Sequence, residues 1–357
     1  MKAIRFPGNC RAEVFEAPMP EAPPGYALIK VRRCGICGTD IELWFSDSKP
    51  LPCIPGHEIA GEIVSLGGSG GVGGVGGGSG SGGSGGFEVG QRVLVNLHIT
   101  CNECDHCKAG NSIFCKELRC LGSDLDGGAA EYVAVPFEHG NLLPIPDDVS
   151  YTEALLVTDA LSTGYTAAKV AVEGMREGEK LAVVGVGPVG MMCVLCASRF
   201  GADVMAIDPN GARREMALKF GSLSAADPFD EGFSDKTESF TNGKGFDVTI
   251  DASGKAAGIL LALRRLLRPK GKHVQVGVCP EVTFNMYDDC IMKDLTIIGS
   301  RGYNSHELPE VIEFARTLPK GLLESLISHK FELDEAQEAY DTVRGGKGMK
   351  VVFCPNG

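Results

Sequence analysis

Four cysteines fall within fifteen residues, in "CNECDHCKAGNSIFC": Cys101, Cys104, Cys107 and Cys115. Their pattern is Cys-x2-Cys-x2-Cys-x7-Cys. Two-residue gaps let a tight turn aim neighbouring sulfurs at one point, and four thiolates bind Zn2+ tetrahedrally. A redox Cys-x-x-Cys and an iron–sulfur cluster are the competing readings. The flanks lack the pattern of a thioredoxin helix. Spacing alone does not exclude iron–sulfur. If the metal is zinc, protein fills all four corners and no position remains for a substrate. The cage is then structural, and the chemistry must lie elsewhere.

A second chemistry-bearing stretch is "VVGVGPVG", with Gly185, Gly187 and Gly190 in G-x-G-x-x-G spacing. It follows an apolar strand and opens an apolar helix, the context that turns a weak match into a dinucleotide site. The first glycine allows the turn, the second lets a pyrophosphate approach, and the third lets helix and sheet pack. Pro188 and Val189 complete the turn, and helix amides face the phosphates. Asp208 lies eighteen residues beyond Gly190, at the end of the next strand. Its carboxylate suits a ribose hydroxyl and repels a 2′-phosphate, so NAD is expected over NADP. Arg213 and Arg214 weigh slightly against this. Gly277, Val278 and Arg301, in the later segments "VQVGVCP" and "IIGSRG", are assigned to the same cofactor site.

Two shorter motifs precede the cysteine cage, "CGICGTDIELW" and "PGHEIAGE". Cys37 and His57 are soft and borderline ligands suited to zinc, and each has an acid nearby.

The elements that must position these residues change character along the chain. Short strands such as "YALIKVRRCGICGT", "EIAGEIVSL", "QRVLVNLHI" and "AEYVAVP", punctuated by Gly and Pro, predict a small β-barrel. Residues 67–86 interrupt them. Fourteen of those twenty residues are Gly and the rest are Ser or Val, so a flexible, dispensable surface loop is expected there. After residue 150, "YTEALLVTDALSTGYTAAKVA" predicts a helix. Alternating strands and helices then predict a doubly wound parallel sheet. Within it, "AAGILLALRRLLRPKG" is read as helix. The tail "SHKFELDEAQEAYDTVRGGKGMKVVFCP" reads strand, helix, strand.

The order "CGTD", "GHE", four-cysteine lobe, then Rossmann segment resembles the zinc-containing medium-chain alcohol dehydrogenases. The resemblance covers essentially the whole chain except the glycine insert. It implies a GroES-like catalytic domain over residues 1–160 and 300–357, carrying a zinc lobe at about 98–118. A Rossmann domain would span 161–299. It implies two Zn2+ per chain, one structural and one catalytic, with NAD as cofactor. Cys37 and His57 match the first two catalytic ligands. Asp159 matches the third, early in the helix before the Rossmann domain, with Glu153 as competitor. Glu58 would sit beside that zinc, and Asp40 would orient His57. Thr39 matches the hydroxyl that bonds the substrate alcohol. Glu42 stands where the family often has a proton-relaying His, so the proton exit departs from the family pattern.

The implied reaction moves a hydride between an alcohol and NAD, giving an aldehyde or ketone. Polyol (sorbitol-like) and L-threonine dehydrogenases are the alternatives. A non-catalytic NAD- and zinc-binding protein is a more distant one. A chain of 357 residues carrying a net charge of −12 argues against nucleic acid or an anionic membrane as partner. No apolar run is long enough to span a bilayer, and "MKAIRFPGNC" lacks a signal peptide's apolar core. The protein is read as cytoplasmic, with its fourteen cysteines as thiols and metal ligands. It is expected to be a homo-oligomer, tetramer or dimer.

Overall fold

Side chains alternate between core and surface along Tyr26–Ile36, where Ala27, Ile29 and Val31 are fully buried. That period of two is the signature of a strand with one covered face. In the computed structural model, which describes residues 1–45, 50–67, 86–137 and 140–357, this strand organises the first of two compact units. That unit comprises Met1–Asp159 and Asn304–Gly357. Its seven-stranded sheet runs Ile327–Phe331, Lys350–Phe353, Tyr26–Ile36, Glu58–Leu66, Arg92–Val95, Leu142–Pro144, with Tyr132–Pro136 also paired to Tyr26–Ile36. All pairings are antiparallel except the one between Ile327–Phe331 and Lys350–Phe353.

The helix Gly38–Phe45 leaves the end of the central strand and is held by one large aromatic. Trp44 is fully buried and packs 5.8 Å from Tyr340, which also touches Phe6 and Phe353. That cluster joins the N-terminal hairpin, the C-terminal helix Ala336–Arg344 and the last strand. It anchors the last turn of Gly38–Phe45 to the core.

The second unit is Ala160–Tyr303. Its six strands are all parallel, in the order Ser224–Ala226, Asp203–Ile207, Lys180–Val184, Phe246–Asp251, Leu267–Gln275, Thr296–Gly299. Numbered along the chain this is 3-2-1-4-5-6, the Rossmann order, whose direction reverses between the first and fourth strands. Leu181, Ala182 and Val183 are fully buried, as expected for a strand covered on both faces.

Three sequence expectations need revision. The segment read as one helix from residue 151 is two, Tyr151–Val157 and Ala160–Val172, and Asp159 lies in the break rather than inside a helix. The helix Ala256–Leu261 closes with one wide turn, and Leu267–Gln275 is strand, so "LRPKG" is not helical. Pro269 has no amide to continue a helix, and Lys270 adopts φ of 63°. Ala160 and residues 300–303 belong with the parallel-sheet unit. Ala160 starts one of its helices, and Ser300 donates its amide to Gln275 in that sheet. Residues 68–85, most of the glycine insert, lie outside the described residues. Among the described residues no helix is long and apolar enough to cross a membrane.

Candidate metal centres and cofactor site

The strand Tyr26–Ile36 ends one residue before Cys37, and Glu58–Leu66 begins one residue after His57. Because the two strands are antiparallel partners, with Gly35 opposite Glu58, their ends deliver Cys37 and His57 to the same place. Asp40 secures this arrangement. Its carboxylate accepts the Cys37 amide at 2.8 Å and the Gly56 amide at 3.3 Å, and it faces His57 Nδ1 at 3.7 Å. One buried acid thus ties both motifs together and orients the imidazole.

Asp159 arrives from the break between its two helices. Its Oδ2 lies 3.3 Å from Cys37 Sγ and 3.8 Å from His57 Nε2. Ligand atoms of Cys37, His57, Glu58 and Asp159 all lie within 4.8 Å of one another. Glu153, the competing acid, is engaged elsewhere. It accepts the Ser150 amide while Ser150 Oγ accepts the Glu153 amide, a capping box at the start of Tyr151–Val157. Thr39 Oγ1 is 3.9 Å from Cys37 Sγ. Thr39 and Glu42 are exposed on the first turns of Gly38–Phe45, three residues apart and so on neighbouring positions of its surface.

The electrostatics of this cluster favour a cation. Burial pushes the His57 imidazolium down, but Asp40, Asp159 and Cys37 together hold it well above the ordinary histidine value. Burial raises Cys37, with Asp159 adding to the rise and His57 opposing it. Asp159 is held below the usual carboxylate range by His57, Lys350 and Cys37 although burial opposes them. Burial lifts Glu58 to about 7 against the pull of Lys350; burial pushes Lys350 down, but Glu58, Cys37 and Asp159 outweigh it and raise Lys350. The two directions agree on a charged Lys350, and added positive charge at the cluster would ionise Glu58. A thiolate, an imidazole and carboxylates at these separations fit tetrahedral zinc, whose ligand bonds are about 2.0–2.3 Å.

The second cluster is the cysteine cage. Cys101 and Cys115 sulfurs are 3.4 Å apart, and those of Cys104 and Cys107 are 3.6 Å apart. Disulfide sulfurs sit at about 2.05 Å, whereas tetrahedral zinc with bonds of about 2.3 Å separates sulfurs by about 3.8 Å. The amides of Cys104, Cys101 and Glu117 donate to these sulfurs. Backbone donors pull Cys104 down to about 6, and burial with thiol neighbours pushes Cys107 up to about 12. The four sulfurs lie within 4.8 Å of one another and fit a closed metal cage.

In the parallel-sheet unit, Gly185 follows strand Lys180–Val184 with φ of 81°, a conformation that favours glycine. A Cβ at Gly190 would lie 1.9 Å from the Gly185 carbonyl oxygen, so helix Pro188–Arg199 packs closer than any side chain would allow. Gly187 caps that helix and Pro188 opens it, with Val189 in the first turn. Asp208 accepts the Val186 amide at 2.9 Å and the Asn210 amide at 2.8 Å, which seats the glycine turn beside the second strand. Arg214 is committed to the carbonyls of Asp208 and Pro209 and to Asp227. Arg213 lies 3.9 Å from Asp208. Gly277 follows strand Leu267–Gln275 and donates its amide to the Asp251 carbonyl at 2.9 Å. The Val278 side chain and Arg301 are exposed after the fifth and sixth strands. All nine predicted cofactor residues therefore lie beyond the carboxyl ends of the parallel strands, where such sheets bind ligands.

One participant was not singled out in the sequence. Lys350, at the head of the strand Lys350–Phe353, is 2% exposed and pairs with Glu58. The available signal was a lysine opening the apolar run "KVVFC".

Comparison with known proteins agrees with this architecture. Residues 23–147 match the alcohol dehydrogenase GroES-like domain, and residues 188–317 match the zinc-binding dehydrogenase domain. The L-threonine 3-dehydrogenase of Pyrococcus horikoshii is 32% identical over 350 residues, covering 96% of this chain and 94% of that protein. The structure of alcohol dehydrogenase TADH from Thermus sp. ATN1 superposes with a TM-score of 0.85 at 29% identity, covering 99% of both chains. A zinc-binding dehydrogenase from Sinorhizobium meliloti, bound to NADP, gives 0.82 at 27% identity over 99% of both chains. With its GroES-like and Rossmann segments both matched, the chain belongs to the zinc-containing medium-chain alcohol dehydrogenase family and is an oxidoreductase.

Proposed function

We propose that this oxidoreductase binds two zinc ions per chain and passes a hydride between a small alcohol and NAD. The observation that carries the reading is the convergence of Cys37, His57, Glu58 and Asp159 within 4.8 Å. Cys37, His57 and Asp159 hold the catalytic metal, and Cys101, Cys104, Cys107 and Cys115 hold the structural one. Zinc, when bound, supplies a Lewis acid for the substrate oxygen, and NAD supplies the hydride acceptor. Asp40 keeps the imidazole in its ligating orientation. The Thr39 hydroxyl accepts a hydrogen bond from the substrate alcohol and, as it takes that proton, releases its own. Exposed Glu42, three residues along the same helix, passes it to water. Gly185 to Gly190 and Asp208 hold the dinucleotide, with Gly277, Val278 and Arg301 at the neighbouring strand ends.

L-threonine is a second reading for the substrate, favoured by relatives of that name at 30–32% identity over most of the chain. A homo-oligomer is part of the proposal. Strand Thr296–Gly299 edges the parallel sheet, pairs on one side among the described residues, and leaves Ile297 42% exposed. Light scattering of the purified protein tests it, with a dimer or tetramer expected and a monomer contradicting it. Metal analysis together with a panel of simple alcohols, polyols and L-threonine tests the function. Two zinc per chain and NADH formation with one class are expected. One zinc or none, with no turnover, would favour a binding protein.

A further inference from the structure

We propose that Lys350 is a positioning residue whose ammonium holds the Glu58 carboxylate away from the catalytic metal, keeping one coordination position open for substrate. The inference rests on the zinc reading above. Glu58 follows a metal-ligand candidate directly and is fully buried. Its Oε1 accepts a hydrogen bond from Lys350 Nζ, whereas its Oε2 has no hydrogen-bond partner among the described residues. A buried carboxylate oxygen left without a donor is costly, and Glu58 belongs to a cluster whose other ligand atoms lie within 4.8 Å. A metal cation would satisfy it there.

Two features oppose that move. Lys350 also donates to the Ile36 carbonyl at 3.1 Å, one residue before Cys37, so the ammonium is tethered to the ligand-bearing segment and cannot follow the carboxylate. Gly35 leaves room for the parked group. A Cβ at Gly35 would sit 2.1 Å from Glu58 Oε2 and 3.1 Å from Lys350 Cε. Charge counting agrees. The Cys37 thiolate, Asp159 and Glu58 carry three negative charges around the metal, with Asp40 a fourth behind the His57 imidazole; Zn2+ offsets two of the four and Lys350, paired with Glu58, a third. Without the ammonium, Glu58 would be an unpaired buried charge beside a dication and would bind it.

The test uses the zinc-loaded enzyme. Replacing a group that merely supports a metal site weakens metal binding by about 10–100-fold, so a structural role predicts faster zinc loss to a chelator. The proposal predicts the reverse for Lys350→Met, with release of the catalytic zinc slowed at least about tenfold as Glu58 becomes a fourth ligand. In the cobalt-substituted variant, imidazole should no longer change the visible spectrum, because its position is taken. Lys350→Met combined with Glu58→Gln should restore both the imidazole response and faster release. If Lys350→Met does not fold, Gly35→Ala carries the test, since its methyl group drives the carboxylate out of its parking space and should give the same slow release. Faster zinc loss from folded Lys350→Met, or an unchanged imidazole titration, would overturn the proposal. Failure of the zinc reading itself would look different, as the unaltered protein would then hold no metal outside the cysteine cage.

Discussion

Asp159 Oδ2 lies 3.3 Å from Cys37 Sγ across 122 residues of chain, at the point where the helix Tyr151–Val157 has ended and the next has not begun. The break matters because a carboxylate inside a continuous helix would be committed to that helix's surface. Asp159→Ala should lose one zinc per chain, and turnover should fall to background, while the cage metal and NAD binding remain. Glu153→Ala should keep both metals and activity and cost about 1 kcal/mol of stability as a lost helix cap. Metal analysis of the two variants checks this, and the reversed pattern would move the ligand role to Glu153.

The cage should act on stability alone. Structural zinc contributes folding energy directly. Cys104→Ser should therefore release the cage zinc and lower the Tm, while the cluster around Cys37 still binds metal. Calorimetry with metal analysis reads both. A Cys104→Ser protein with two zinc per chain and an unchanged Tm would contradict the assignment.

Cofactor preference should follow Asp208. Arg214 is tied to three acceptors, which leaves Arg213 as the cation able to meet a 2′-phosphate. The unaltered enzyme should favour NAD over NADP in kcat/KM by at least about tenfold, roughly 1.4 kcal/mol. Asp208→Ser should narrow that gap. It should also cost about 1.5–3 kcal/mol of stability, because the Val186 and Asn210 amides lose a charged acceptor. Equal kcat/KM for the two cofactors would refute the preference.

Acid should loosen the helix that leads to Asp159. Tyr151 opens that helix and donates to Glu62 at 2.5 Å, and Arg32 pairs with the same carboxylate. The Tyr151 hydrogen bond, then Arg32, lower the Glu62 value although burial opposes them. A depressed carboxylate stabilises the fold above its unfolded value, about 4.3, and loses that contribution as pH falls through the lower folded value. Glu62→Gln should cost about 1 kcal/mol or less at pH 7, since the pair is partly solvated, and nothing well below pH 4. Urea unfolding at the two pH values measures the difference, and a cost that grows in acid would reverse the sign of this account.

Much of this site could be read from short motifs because its chemistry is local. Gly185 to Gly190 are contiguous, the four cysteines share one loop, and Cys37 and Asp40 share one turn. What escaped the sequence depends on tertiary context. In "LLVTDALSTGY" the break at Thr158–Asp159 has only a weak mark, two cap-forming residue types inside an otherwise apolar run, and it shows in the structure because the Thr158 amide and hydroxyl both turn back to the Leu155 carbonyl. The strand start at Leu267 was masked by a leucine- and arginine-rich run of high helix propensity. Lys350 reads as a surface lysine, and its burial is explained by partners distant in sequence, Glu58, 292 residues away, and the Ile36 carbonyl.

The most direct measurement is NADH formation from NAD across simple alcohols, polyols and L-threonine, made before chelation, after it, and after zinc is restored. The account predicts turnover with one of these classes that disappears with the catalytic zinc and returns with it. Turnover that survives loss of that zinc, or none with any hydroxyl substrate in the fully loaded protein, would contradict it.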